Sequence, residues 1–171
     1  MGIGGVPDTQ LKVQIHEGGY QEVSAGAVLV SFIDGNRKAL LIRISLKNIF
    51  EIPKGHVELY ESDAEAAVRE LREETGIQND IVVVDEIEEL RYSFKRKGST
   101  VTERVKHFLV TPGDGQEIRF GPKPEQTLEI RWVTKEEVAT IPLVAENLRP
   151  ALRLAFEKVE EMSKVKKEDC I

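Results

Sequence analysis

Glu70, Glu73 and Glu74 lie in the stretch GHVELYESDAEAAVRELREETGI (55–77), near the end of what reads as one short helix. Spacings of i, i+3 and i+4 send three helical side chains to one side, so these carboxylates project together. The position is unfavourable in itself, because the C-terminal end of a helix carries partial negative charge and prefers Lys, Arg or His. A positive group beside them reverses that cost, and a divalent cation is one such group. Mg²⁺ takes oxygen ligands, uses a few carboxylates and leaves other positions to water and substrate phosphates. The set lacks the His and Cys array that suits Zn²⁺. A Glu-rich helix face is also an ordinary solvated surface, with Glu65 and Arg69 as a plain i,i+4 pair, so the three carboxylates alone leave both readings open.

Metal-assisted hydrolysis of a phosphoric anhydride is the chemistry such a set would serve. The anionic oxygens of a pyrophosphate repel a nucleophile; cations neutralise that charge and lower the pKa of bound water. A carboxylate not fully consumed by metal can take the water's proton. Glu70 and Glu73 are the candidates, in that order. Glu129, in the strand-like stretch LEIRW, is a candidate remote ligand or base, and a solvent-facing carboxylate is its equally good alternative.

Several elements must position these residues. VSAGAVLVSFI (23–33) is a β-branched run ending at the turn Asp34-Gly35-Asn36, and 38–44 returns as its hairpin partner. Residues 49–53 are extended, since Pro53 keeps its predecessor out of the helical region. Ser62 with Glu65 forms a capping box and Gly76 ends the helix, while Ala64, Ala67, Val68 and Leu71 make the stripe that packs on a sheet. Strands are expected over 81–95, 100–110 and 128–134, with a small strand inside the Gly/Pro-rich loop 111–127. Thr134 and Glu137 open a short helix that Pro142 stops, and a last amphipathic helix spans 146–166. Residues 1–20 read as a loose arm or a first short strand. This order gives an α/β fold with a mixed sheet.

Composition sets the outer bounds. The chain has 171 residues, 40% hydrophobic and 32% charged, which suits one globular domain spanning 1–171. A net charge of −6, from 24 basic and 30 acidic residues, argues against a general nucleic-acid binder. Cys170 is the single cysteine, the N-terminus has no signal-peptide pattern, and no apolar run is long enough to span a bilayer. A cytoplasmic protein acting on a small molecule is the expectation.

The stretch as a whole says more than its glutamates. Gly55, Glu61, Arg69-Glu70, Leu71, Glu73-Glu74, Gly76 and Ile77 match the Nudix box at every specified position, and the chain resembles the Nudix hydrolases over about residues 22–160. The resemblance implies an α/β/α sandwich that hydrolyses a nucleoside diphosphate linked to another moiety with Mg²⁺ or Mn²⁺. It implies metal binding by Glu70, Glu73 and Glu74 with the Gly55 carbonyl, and an Arg69 that orients carboxylates. IPKGHVE and RVKHFLV are most similar to the branch that cleaves diadenosine tetraphosphate to ATP and AMP, although Leu59-Tyr60 replaces the usual Pro-Gly turn. Relatives acting on ADP-ribose, nucleoside triphosphates or diphosphoinositol phosphates are the alternatives; a non-catalytic binding module would have lost a box glutamate, and none is lost here. For a long phosphate chain flanked by bases, Arg43, Lys54, Arg104 and Lys106 are the candidate phosphate contacts. Tyr92, His107 and Phe108, with Phe94, are the candidate stacking residues. Lys95, Arg96 and Lys97 read equally well as a solvated hairpin tip, Trp132 as core, and His56 as a loop-stabilising residue rather than a metal ligand.

Overall fold

A computed structural model of the protein describes residues 11–16, 19–114 and 116–170. Its centre is β2 (Gly19–Ile33), fifteen residues long and buried along most of its length because it has neighbours on both edges. Along one edge β6 (Ser99–Pro112) runs parallel to it, from Gly19 opposite Thr100 to Leu29 opposite Val110. Along the other edge three antiparallel partners succeed one another. These are β1 (Val13–His16) beside residues 19–22, β4 (Lys54–His56) beside 24–26, and β3 (Asn36–Arg43) beside 30–33. β5 (Ile81–Arg96) pairs with β6, and β7 (Glu129–Thr134) pairs with β3. The sheet is mixed, in the order β5-β6-β2-β3-β7.

Two helices cover its faces. Alternation along β2 sends Val23, Ala25, Ala27 and Leu29 to one face, where α1 (Asp63–Thr75) buries Ala66, Ala67 and Leu71 against them. Val28 and Val30 point the other way, where Leu148, Leu152, Ala155 and Phe156 of α2 (Leu148–Glu168) meet them. The result is three layers, helix on sheet on helix. Ser62 and Glu65 make the reciprocal capping box, and Gly76 ends α1 at φ 74° with its N–H donating to the Arg72 carbonyl. Ala64 and Val68, expected in the buried stripe, lie at its margin and are only partly buried.

Four expectations differ in detail. Of the arm expected over 1–20, residues 13–16 and 19–20 are strand, because β1 finds the backbone of β2 to pair with; residues 1–10 lie outside the described residues. The opening of the box is itself a strand, β4. Of the loop expected over 111–127, residues 111–112 continue β6, and the described residues from 113 on form one isolated bridge, Phe120 to Ile77, instead of a small strand. Thr134 and Glu137 do cap each other, yet they open only a single 3-10 turn at Glu137–Ala139. No described helix is long and apolar enough to cross a membrane.

Candidate active site

Three residues of β4 set the site out. Gly55 pairs with Ala25 and so shares the α1 face, whereas Lys54 and His56 pair with Gly26 and Ser24 and share the α2 face. Glu70 reaches across from α1 and lays its carboxylate on Gly55: a Cβ at Gly55 would lie 2.1 Å from the Glu70 Cδ. Only glycine permits that approach.

Arg69 then ties the box together. Its Nε and Nη2 donate to the two oxygens of Glu61 at 3.0 and 2.6 Å, a bidentate pair, and Nη2 also donates to the His56 carbonyl at 2.9 Å. Its Nη1 donates to Glu70 Oε1 at 2.8 Å and to Glu73 Oε2 at 3.2 Å. The Arg69 guanidinium holds the Glu61 carboxyl below the usual carboxylate range, and Glu61 in turn raises the pKa of Arg69. A guanidinium with these contacts has little left for a substrate. It fixes the rotamers of its neighbours instead.

Glu74 is in a different state. Burial first, then the charges of Glu70 and Glu51, push its carboxyl up to about 8. Burial also raises Glu51, with Lys54 easing the shift and Glu103 adding to it. Glu51 bridges to Ile42, an α1-face residue, so it shares the face that Glu70 and Glu74 occupy. Glu51, Glu70 and Glu74 therefore crowd negative charge into one half-buried place. Lys54, the nearby cation, is spent elsewhere, its Nζ donating to Glu103 Oε1 at 3.0 Å. Arg69 offsets Glu70 alone, while Glu51 and Glu74 have no ion-pair partner among the described residues, and a cluster with that excess of carboxylates fits a hard divalent cation. Among the described residues no three acidic, imidazole or thiolate groups are arranged as a ready-made cage, and Glu73 is more than half exposed, turned onto Arg69.

The other candidate residues divide between the two faces of the sheet. Arg104 and Lys106 lie on the α1 face and reach Asp63 at the start of α1, at 3.6 and 3.7 Å, with Glu89 and Glu86 as further partners. Lys54, Tyr92 and His107 lie on the α2 face, so the structure does not bring the four candidate cations into one row. Tyr92 is half-buried, its hydroxyl donating to Asn147 Oδ1 at 3.1 Å. His107 is fully buried, and neither ring nitrogen has a partner among the described residues. Burial and then the positive Lys54 push its pKa down to about 4, so it is neutral. Phe108 packs into the core under α1, as Trp132 does in part. Phe94 is on the surface with Arg96 over its ring. Arg43 faces Glu129 at 3.8 Å on the α2 face, and Glu129 also accepts from Arg131 at 3.0 Å. His56, a strand residue, contacts Glu22 at 3.1 Å.

Glu51 and Glu103 escape a reading of the sequence. Glu51 alternates with Phe50 and Ile52, both buried in the other face, and that alternation in FEIP was the available signal. Glu103 carries none, since only the parallel register of β6 on β2 brings it to Lys54.

Comparison with known proteins bears on the family and the fold. A model of the NUDIX domain family matches residues 23–155. A Mycobacterium tuberculosis protein that carries the name MutT4 is 29% identical over 147 residues, which cover 82% of this chain and 57% of that protein. This chain thus spans a little over half the length of that relative. The Ap4A hydrolase of C. elegans superposes with a TM-score of 0.62 at 21% identity, over 82% of this chain and 98% of that one. The NUDIX domain of NrtR from Shewanella oneidensis, solved with ADP-ribose, does so with a TM-score of 0.57 at 19% identity, over 81% and 88%. At these identities the two structures share the fold.

Proposed function

We propose that this chain, which belongs to the Nudix hydrolase family, hydrolyses a phosphoric anhydride bond in a nucleoside diphosphate derivative. Mg²⁺ or Mn²⁺ would be held by Glu70, Glu73 and Glu74 with the Gly55 carbonyl. The crowding of Glu51, Glu70 and Glu74, with a Glu74 carboxyl raised to about 8, is the observation that carries this reading. When bound, a cation neutralises phosphate oxygens and lowers the pKa of the attacking water. The chain's own residues do the rest. Arg69 holds Glu70 and Glu73 in place, Glu70 accepts the water's proton, and Lys54 meets a phosphate oxygen on leaving Glu103. The single cysteine, Cys170, which leaves no internal disulfide, supports a reducing, cytoplasmic setting for this activity.

Diadenosine tetraphosphate, cleaved asymmetrically to ATP and AMP, is the substrate placed first. The IPKGHVE and RVKHFLV stretches and the likeness to the C. elegans hydrolase support it. A shorter substrate such as ADP-ribose is the second reading, favoured by the placement of Arg104 and Lys106 across the sheet from Lys54. Rates of release from diadenosine tetraphosphate, ADP-ribose, diphosphoinositol phosphates and dNTPs, each with Mg²⁺ or Mn²⁺, test both. Turnover of none of them overturns the hydrolase reading, and full activity in excess chelator overturns the metal. Lys106→Ala separates the two substrates. A charge-assisted phosphate contact is worth about 1.5–3 kcal/mol, so its loss costs the tetraphosphate about tenfold and spares ADP-ribose. Equal effects on both, or symmetric cleavage to two ADP, count against the tetraphosphate.

A further inference from the structure

At the end of the sheet remote from the box, the β2–β3 hairpin, the segment after β6 and the last turns of α2 enclose a groove of about 360 Å³. Small-molecule sites begin at about this size. Phe32 and Gly26 stand on one face of β2, six residues apart, so the groove is about 20 Å from Lys54 and Gly55. Nothing in the proposed hydrolysis uses it.

Its walls differ in chemistry. Val159, Met162, Ser163 and Lys166 line it from α2, at spacings that put them on one side of the helix. Phe32 faces them from β2 and is 66% exposed, unusual for a large aromatic ring at a concave site. Arg37 lies over that ring with its Cζ 5.0 Å from the centroid, and its Nη2 donates to Ser163 Oγ. Arg37 Nε is buried with no partner among the described residues. Asp114 also lines the groove, but among the described residues no carboxylate, Asp114 included, is within ion-pair distance of Arg37 or Lys166, whereas Arg43, Lys54, Arg69, Arg104 and Lys106 each have one. A half-buried guanidinium without a counter-charge is unfavourable, and on a chain of net charge −6 its isolation is not forced by a shortage of acids.

We propose that this groove is a second binding site for an anion carrying a flat or apolar body. The phosphate or carboxylate would meet Arg37 and Lys166, and the body would lie between Phe32 and Met162. Arg37 suits the anion because its planar fork can offer two donors while one nitrogen keeps Ser163. Phe32 suits a flat body, which stacks on an exposed ring or meets it edge-on.

Methionine labelling makes the test specific to the site. The chain has two methionines, Met1 and Met162, so ¹³C-methyl labelling places one probe in the groove. Phenyl phosphate, titrated into the chelator-treated full chain up to about 10 mM, well above the dissociation constant of a weak specific site, is expected to shift the Met162 methyl signal saturably. Arg37→Ala and Lys166→Ala should each weaken that binding about tenfold, the loss of one charge-assisted contact. Lys166→Ala leaves the Arg37–Ser163 contact intact and keeps the test valid where Arg37→Ala disturbs the helix end. An unmoved Met162 overturns the proposal, as does undiminished binding in both variants. Orthophosphate binding as well as phenyl phosphate removes the flat body, phenol binding as well removes the anion, and either result refutes the site as described. Turnover at the box should be unchanged in both variants.

Discussion

Glu74 holds its proton in the folded chain up to about pH 8, whereas an ordinary glutamate releases it near 4.5. Between these values the folded state binds more protons than the unfolded one. This contribution to stability is therefore complete below about pH 4.5 and is lost as pH rises through 8. Metal-free protein should accordingly lose thermal stability over that window. Glu74→Gln should abolish the loss and gain on the order of 2 kcal/mol at pH 8, while turnover falls by orders of magnitude. Paired melting curves at pH 5 and pH 8 check the first part, and a less stable variant at pH 8 would contradict it. Glu73, more than half exposed and with Arg69 as its one side-chain partner among the described residues, belongs to a different class. Glu73→Gln should change stability by less than about 1 kcal/mol, as for an exposed ion pair, yet still lower turnover steeply. Wild-type turnover in both variants would remove the cation from the proposed mechanism. Arg69→Lys should cost most of the activity as well, since one ammonium cannot replace a fork that serves Glu61, Glu70, Glu73 and the His56 carbonyl together.

At the scale of elements, α1 and β4 form one device: the strand supplies a surface without a side chain and the helix lays a carboxylate on it. Gly55→Ala tests the device directly. Its new Cβ would fall within 2.1–2.4 Å of three atoms of the Glu70 carboxylate, so Glu70 must swing away. Turnover should drop by at least about tenfold while the melting temperature moves little, because Glu70 is the end of a flexible side chain that can yield. The opposite pattern, a large loss of stability with turnover kept, would mean that the backbone and not Glu70 gives way. The helix start is a separable matter. Ser62 accepts from the Glu65 N–H at 3.1 Å and Glu65 accepts from the Ser62 N–H at 2.7 Å. Ser62→Ala should therefore cost about 1 kcal/mol in denaturant unfolding, with turnover unchanged per folded molecule.

For the molecule as a whole, the sheet acts as a partition. It keeps Arg104 and Lys106 with Asp63 on one side, and Lys54 with Glu103 and His107 on the other. Two cores arise from the same alternation, one under each helix. Phe156, 1% exposed, closes the α2 side. Phe156→Ala should cost about 3–5 kcal/mol, a figure that urea unfolding can check, with the box geometry under α1 left in place. Gly26 is where the α2 side is packed most tightly, with Lys54 and His107 as its neighbours on the two flanking strands. A Cβ there would lie 2.9 Å from His107 Cδ2 and 3.2 Å from Lys54 Cβ, so a side chain at residue 26 would force His107 and Lys54 apart.

Whatever depends on near neighbours in the chain is legible without the structure. The capping box, the αL glycine at 76, the i, i+3, i+4 spacing of the carboxylates and the α/β class with a mixed sheet come from local periodicity and from residues with restricted or unusual backbone preferences, and the three-layer sandwich from the resemblance carried by residues 55–77. Long-range register is a different kind of information. The parallel alignment of β6 with β2 decides that Glu103 meets Lys54, that Phe108 is core, and that His107 is buried without a partner among the described residues. The bridge of Glu51 to Ile42 decides that a third carboxylate joins Glu70 and Glu74. A shift of one residue in either pairing would turn those side chains to the opposite face, and no pattern within a single strand sets the register of two strands far apart in the chain.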